Sequence, residues 1–426
     1  MRIRSGSINL NPSRDRGQRP VLAGFVNTYP PRQCGIATFA RDLATAVVDD
    51  PAADQPAVVE VVAVDAERRD FPGEVRLRLN PDVRAEYDAT ARRMNERNYN
   101  VVAVQHEYGI YGGDDGEWIL DLLERVDAPI VTTLHTVLAR PSARQRRIVE
   151  EIGRLSARVV VLSGAAAGRL GPIYRVDPEL VEVIPHGVPD LPFIDPELRK
   201  PEFGLAGRPT LLSFGLLGPG KGFELAIEAM TRVVSAVPDA VYVILGSTHP
   251  ELRRREGEQY RDRLTALVHD RGLSEHVQFV DSYVDQATLG RWLQSADVYV
   301  TPYPGAEQVV SGTLAYALGA GKAIVSTPYA YARELLADGR GELVPFGDPA
   351  ALARSVASLL SDPIARDRAR RRAYQYGRAM TWPAVGDRYR GVFADAVADR
   401  SRAVRPVRVQ RELIPRRSGA LIESRS

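Results

Sequence analysis

A chain of 426 residues is longer than one ordinary hydrophobic core supports, so two domains are expected. Lys and Arg total 56 against 54 Asp and Glu, a net charge of +2, which excludes a nucleic-acid footprint spread over the whole molecule. The single cysteine, Cys34, excludes an intramolecular disulfide and a cysteine-based zinc site, and suits a reducing cytosol.

Taken in chain order, the first residues carry arginines but no apolar signal-peptide core, and 1–19 are expected to form a disordered tail. No later run approaches the roughly 20 apolar residues of a membrane span. Short β-branched runs then alternate with helical stretches, the pattern of parallel βαβ units. Strands are expected at 21–26, 58–64, 101–106, 129–135, 158–163 and 181–188, within a first domain at 20–190. A proline-marked linker at 191–208 interrupts the alternation, which restarts with strands at 210–215, 240–246, 277–282, 297–303, 322–327 and 341–346 in a second domain at 209–380. The expected fold is therefore α/β, with two doubly wound parallel-sheet domains facing a central cleft. Residues 400–426 read as a basic tail, able to meet an anionic membrane surface.

In open parallel sheets ligands sit beyond the carboxyl ends of the strands, so residues just after each strand are the site candidates. Gly35 stands before an amphipathic helix, where backbone N–H groups and the helix dipole suit an anion. His106, His135 and His186 each end a strand and are expected to face the cleft; they are not arranged as metal ligands, and no metal site is expected. In "SFGLLGPGKGFELAIEAM" a glycine turn with one cation, Lys221, precedes a helix, which suits a phosphate, yet neither a Walker loop nor a Rossmann glycine fingerprint is present. In "YPGAEQVVSGTLAYALGAGK" the residues Ser311, Gly312 and Thr313 open a short helix and offer donors to a diphosphate, while Glu307 and Gln308 could hold sugar hydroxyls.

The ordered set "HE" after a middle strand, "TTLHT", "VIPHGV", "SFGLLGPGKGFELAIEAM", "VILGS", "FVDSYVDQATLGRWLQSADVYVTPY" and "LAYALGAGKAIVSTPYA" resembles family 4 glycosyltransferases of the GT-B fold, over about residues 20–398. The closing "TWPAVGDRYRGVFADAV" resembles the helix, here 381–398, that crosses back to complete the first domain in that family. The resemblance implies a retaining hexosyltransferase that uses a nucleotide-sugar as substrate, such as GDP-mannose, with no cofactor and no metal. It implies a carbohydrate or lipid-linked acceptor and no nucleic acid. By position it assigns His135 and Lys221 to catalysis. The donor falls to Gly35, Gly215, Lys221, Gly246, Glu307, Gln308, Ser311, Gly312, Thr313 and Tyr316. The acceptor falls to His106, Glu107 and Tyr108.

Two departures stand out. Leu216 occupies the place of an arginine usual in the family, leaving Arg32 or Arg41 as candidates for a second cation. Gln308 and Tyr316 occupy the places of two glutamates, the second of which binds ribose, so the nucleotide is left open. A GT-B phosphorylase, a sugar-nucleotide epimerase and a non-catalytic sugar-nucleotide or glycan-binding protein are the alternatives.

Overall fold

The structure, a computed structural model, describes residues 21–50 and 57–404. The expected tail at 1–19 lies outside the described residues, as does the basic tail beyond residue 404.

The first sheet holds β1 (Leu22–Asn27), β2 (Val58–Val64), β3 (Val75–Leu79), β4 (Val101–His106), β5 (Ile130–Leu134), β6 (Arg158–Val161) and β7 (Val181–Val183). The second holds β8 (Thr210–Phe214), β9 (Val241–Leu245), β10 (Val277–Val280), β11 (Val298–Thr301), β12 (Ala323–Ser326) and β13 (Glu342–Leu343). Every pairing in both is parallel. The strand orders are β3-β2-β1-β4-β5-β6-β7 and β10-β9-β8-β11-β12-β13. Each sheet therefore reverses its winding once, between β1 and β4 and between β8 and β11, and those two gaps are where doubly wound sheets bind ligands. Central strands such as β4 and β9 are buried at every residue, as parallel sheets covered on both faces require. β3 is the strand not expected from sequence. Its "VRLRL" lies at the sheet edge with Arg76 exposed, so it lacks the continuous apolar run of its neighbours.

Six helices bear on the site: α1 (Gly35–Val48), α2 (Gly164–Tyr174), α3 (Phe223–Ala236), α4 (Gln286–Ser295), α5 (Gly312–Gly319) and α6 (Trp382–Val404). α6 returns to the first sheet, where Trp382, Val385, Tyr389 and Phe393 join Phe25, Phe39 and Leu43 in one buried cluster. The chain thus crosses between the sheets twice, and the two crossings pair with each other. Val188 N–H donates to Met380 O (2.8 Å) and Trp382 N–H to Val188 O (3.0 Å). Lys200 in the linker is buried against Asp297 (2.7 Å), which anchors that segment to the second sheet. Among the described residues no helix is long and apolar enough to cross a membrane.

Candidate active site

The carboxyl ends of both sheets meet at a cavity of about 530 Å³. One wall comes from the second domain. After β8 the chain turns at Gly215 (φ +124°), and after β9 at Gly246 (φ +148°). A Cβ on Gly246 would lie 2.1 Å from the Gly215 carbonyl oxygen, so only glycine lets the two turns nest. The Gly218–Lys221 turn then delivers Lys221 to the cavity just ahead of α3.

Lys221 Nζ donates to the Tyr303 hydroxyl (3.0 Å) and lies 4.5 Å from the centre of that ring. The Tyr303 hydroxyl is also 3.0 Å from Thr313 Oγ1. Burial pushes that hydroxyl's pKa up, but Lys221 with Ser311 and Thr313 more than offsets it and leaves it below its ordinary value. Ser311 caps α5 by accepting from Leu314 N–H, so Gly312 and Thr313 reach the cavity as the first helical residues. A cation, a polarised phenol and a helix N-terminus thus converge, the ingredients of an anion site.

The facing wall belongs to the first domain. Gly35 opens α1 after β1, and a Cβ there would meet nothing within 4 Å. The Phe39 ring stands edge-on to His135 (4.9 Å between centroids), His186 (5.1 Å) and Trp382 (5.3 Å). His135 Nε2 is 2.9 Å from Gln105 Oε1. With that oxygen accepting, Nε2 carries the hydrogen and Nδ1 is left as an acceptor. Burial, and secondarily His186 and His106, hold the His135 pKa down to about 3, so the ring is neutral at physiological pH. His186 donates from Nδ1 to Gly187 O (2.7 Å), and burial holds its pKa down to about 4. Its Nε2 approaches Gly312, where an added Cβ would lie 2.8 Å away.

The cavity thus gathers Gly35, His135, His186, Gly215, Lys221, Gly246, Gly312, Thr313 and Tyr316. Other expected residues fall elsewhere. His106 does not face the cleft: it is wholly buried between the rings of Tyr108 and Tyr111, with no hydrogen-bond partner for either nitrogen among the described residues. Glu107 accepts from Thr136 Oγ1 and Tyr108 N–H, and neither it nor Tyr108 lines the cavity. Glu307 reaches across to Arg169 of α2 (2.9 Å), and the Gln308 amide donates to Val310 O (2.9 Å); both lie off the cavity lining. Arg32 is absent from that lining, whereas Arg41 belongs to it.

Sequence reasoning passed over Gln105, Asp42, Gln286 and Tyr283, and reached Tyr303 only as the start of the stretch that follows β11. Tyr303 follows β11 and carried the same signal as its neighbours, while the others depend on pairings between distant segments.

Two family models match the chain: "Glycosyltransferase Family 4" over residues 35–190 and "Glycosyl transferases group 1" over 195–377. A phosphatidyl-myo-inositol mannosyltransferase of Mycobacterium leprae is 30% identical over 285 residues, covering 65% of this chain and 69% of that protein. A D-inositol 3-phosphate glycosyltransferase of Jonesia denitrificans is 31% identical, covering 61% and 64%. The chain spans 63% of the phosphatidyl-myo-inositol mannosyltransferase of Mycolicibacterium smegmatis, at 29% identity. Among solved structures, a sucrose-phosphate synthase from Thermosynechococcus elongatus matches with a TM-score of 0.71 at 17% identity, over 89% of this chain and all of that one. Anabaena HepE in complex with UDP and glucose matches with a TM-score of 0.68 at 16% identity, over 87% and 99%. At such identities the likeness is one of fold: two Rossmann-like domains in the GT-B arrangement.

Proposed function

The chain belongs to glycosyltransferase family 4, and from that premise we propose that it moves a hexosyl unit from a nucleotide-sugar to a hydroxyl-bearing acceptor, with retention at the anomeric carbon. The observation that carries this is the convergence of Lys221, Tyr303 and the N-terminus of α5 on one wall with Gly35 and neutral His135 on the other. The anion end takes the diphosphate. Lys221 leaves its bond to Tyr303 for the phosphoryl oxygens, and Gly312 and Thr313 offer unpaired N–H groups to the same charge.

The bond from the anomeric carbon to the diphosphate oxygen breaks with its electron pair going to that oxygen, and the acceptor oxygen forms the new bond. Both the leaving charge and the cationic sugar ring are stabilised by fixed donors and acceptors rather than by a resident acid or base. His135, pinned by Gln105, presents Nδ1 to a hydroxyl of the transferred sugar or acceptor. The carboxylate lining the cavity, Asp285, already accepts from Thr288 N–H as the cap of α4. The proton released by the acceptor hydroxyl therefore has the departing diphosphate oxygen as its recipient.

Relatives named as mannosyltransferases make GDP-mannose the first donor to test, and those named for inositol substrates make a polyol or inositol-bearing lipid the first acceptor. The deciding experiment offers the purified chain UDP-, GDP- and ADP-sugars with such acceptors, reading thermal stabilisation and glycosylated product by mass spectrometry. Product from one donor class is expected; stabilisation without product would favour a binding protein, and no response to any sugar nucleotide would end the proposal.

A further inference from the structure

One arginine off the cavity lining ties together the two chain segments that deliver its opposite walls. Arg169 lies on α2 of the first domain, and its side chain is 14% exposed. From Nη1 it donates to Val137 O (2.8 Å), just after His135, and to Glu307 O (3.0 Å), just ahead of the Ser311 cap of α5. From Nη2 it donates to Glu307 Oε2 (2.9 Å). Tyr174, on the same helix, adds a bond from its hydroxyl to Leu138 O (2.9 Å). α2 therefore grips both the chain leaving β5 and the chain entering α5.

The segment that Arg169 meets is itself held firmly. Ala330 N–H donates to Ala306 O (2.9 Å) and Tyr331 N–H to Gln308 O (3.0 Å), so the residues on either side of Glu307 are fixed to the start of the short helix Ala330–Leu335. From that same helix Glu334 returns to α2, where its carboxylate accepts from Gly164 N–H (2.9 Å) and Ala165 N–H (3.0 Å) at the positive end of the helix. Val309 is buried in the first domain's cluster with Val137, Ile148 and Tyr174. These contacts seat residues 306–310 of the second domain against α2 and the segment after His135. The ion pair alone contributes little to stability, because the Glu307 side chain is 57% exposed. What the guanidinium fixes is geometry: it joins carbonyl oxygens from opposite walls through one planar group, where about 1 Å of misplacement can cost about a hundredfold in rate.

We infer that Arg169 is a positioning residue for the transfer: by joining the backbone beyond His135 to the backbone ahead of Ser311, it sets the spacing between the His135 ring and the N-terminus of α5, the gap in which the anomeric carbon passes from diphosphate to acceptor. This rests on the nucleotide-sugar reading above and deepens it. The domains also meet where Asp42 of α1 accepts from the Gln286 amide of α4 (3.2 Å) and the Tyr316 hydroxyl of α5 (3.4 Å), so loss of Arg169 is expected to shift that spacing rather than part the domains.

Steady-state kinetics and calorimetry test this on the full chain, with the sugar nucleotide that gives product, in wild type, Arg169→Ala, Arg169→Lys, His135→Ala and the variant combining Arg169→Ala with His135→Ala. Arg169→Ala is expected to lower kcat about tenfold or more with donor affinity within about threefold of wild type, and Arg169→Lys, which keeps the charge without the planar fork, to recover part of that loss. Because Arg169 acts through His135, the combined variant is expected to turn over within about threefold of His135→Ala alone, whereas independent action would multiply the two losses. An unchanged kcat in Arg169→Ala, donor affinity falling in step with kcat, or multiplied losses in the combined variant would each overturn the inference and leave the donor proposal standing. A wild type that makes product from no sugar nucleotide would overturn both. Should Arg169→Ala fail to fold, Arg169→Lys and Glu307→Ala carry the same kcat and combined-variant readings.

Discussion

His106 and His135 end neighbouring strands of one sheet, yet one is sealed among tyrosine rings and the other meets the cavity. Strand parity separates them. Along β4, Val102 and Val104 face the cluster that also holds Tyr111 and Ile119, while Val101 and Ala103 face the cluster built on α1 and α6. His106 continues the first set and Gln105 the second. On β5, Val131 shares the α1 face, and Thr133 meets Tyr389 of α6 (3.0 Å), so His135 emerges beside Gln105 under Phe39. A residue at a strand's carboxyl end becomes available to a ligand only if its parity matches the face that carries the cleft.

Substitutions can break that contrast or sharpen it. His135→Ala is expected to lower kcat by roughly a hundredfold while leaving donor affinity nearly intact, since it removes the group that the proposed mechanism places at the reacting sugar. Steady-state kinetics with calorimetry reads the split, and equal losses in both would reduce His135 to packing. Lys221→Ala, on the opposite wall, should divide the other way, weakening nucleotide-sugar binding about tenfold to a hundredfold through one lost charge-assisted contact. Gln105→Leu leaves the ring in place but frees its tautomer, and about a tenfold loss in kcat with unchanged donor affinity is the expected signature.

The last effect concerns stability. Burial depresses the pKa values of His106 and His186 to about 4 and of His135 to about 3, below the ordinary value near 6.5. As pH falls below about 6.5 the unfolded chain takes up protons that the folded chain refuses, so stability drops, by roughly 2 kcal/mol per ring at pH 5. His106→Phe should remove one ring's share of that acid sensitivity without altering turnover, because among the described residues neither nitrogen has a partner to lose. Thermal melts at pH 5 and pH 7 measure it, and an unchanged difference between the two would show that His106 does not titrate in this way.

The alternation of Val- and Ile-rich runs with helices exposed both sheets in the sequence because parallel strands covered on both faces are built mainly from apolar residues. β3 escaped notice for the converse reason, as its arginines alternate along an edge. Turn residues such as Gly35, Gly215 and Lys221 were legible because glycine turns and strand ends have local signatures. Asp42 and Gln286 were not, since each sits inside an ordinary helix and gains its environment only when α1 meets α4 and α5. Glu307 misled for a similar reason: it lies between Tyr303 and Gly312 in sequence, but its partner, Arg169, is on the other domain.

The return of α6 to the first sheet has a consequence for how the molecule is made. A ribosome completes β1 to β7 long before it synthesises Trp382, Tyr389 and Phe393, which close the hydrophobic face over Phe25 and Phe39. Until those residues emerge, that face is open, and the nascent amino-terminal half must stay shielded from its own kind while the carboxyl-terminal half is synthesised. A stop codon just before Trp382 would therefore damage the end of the protein that had already been translated.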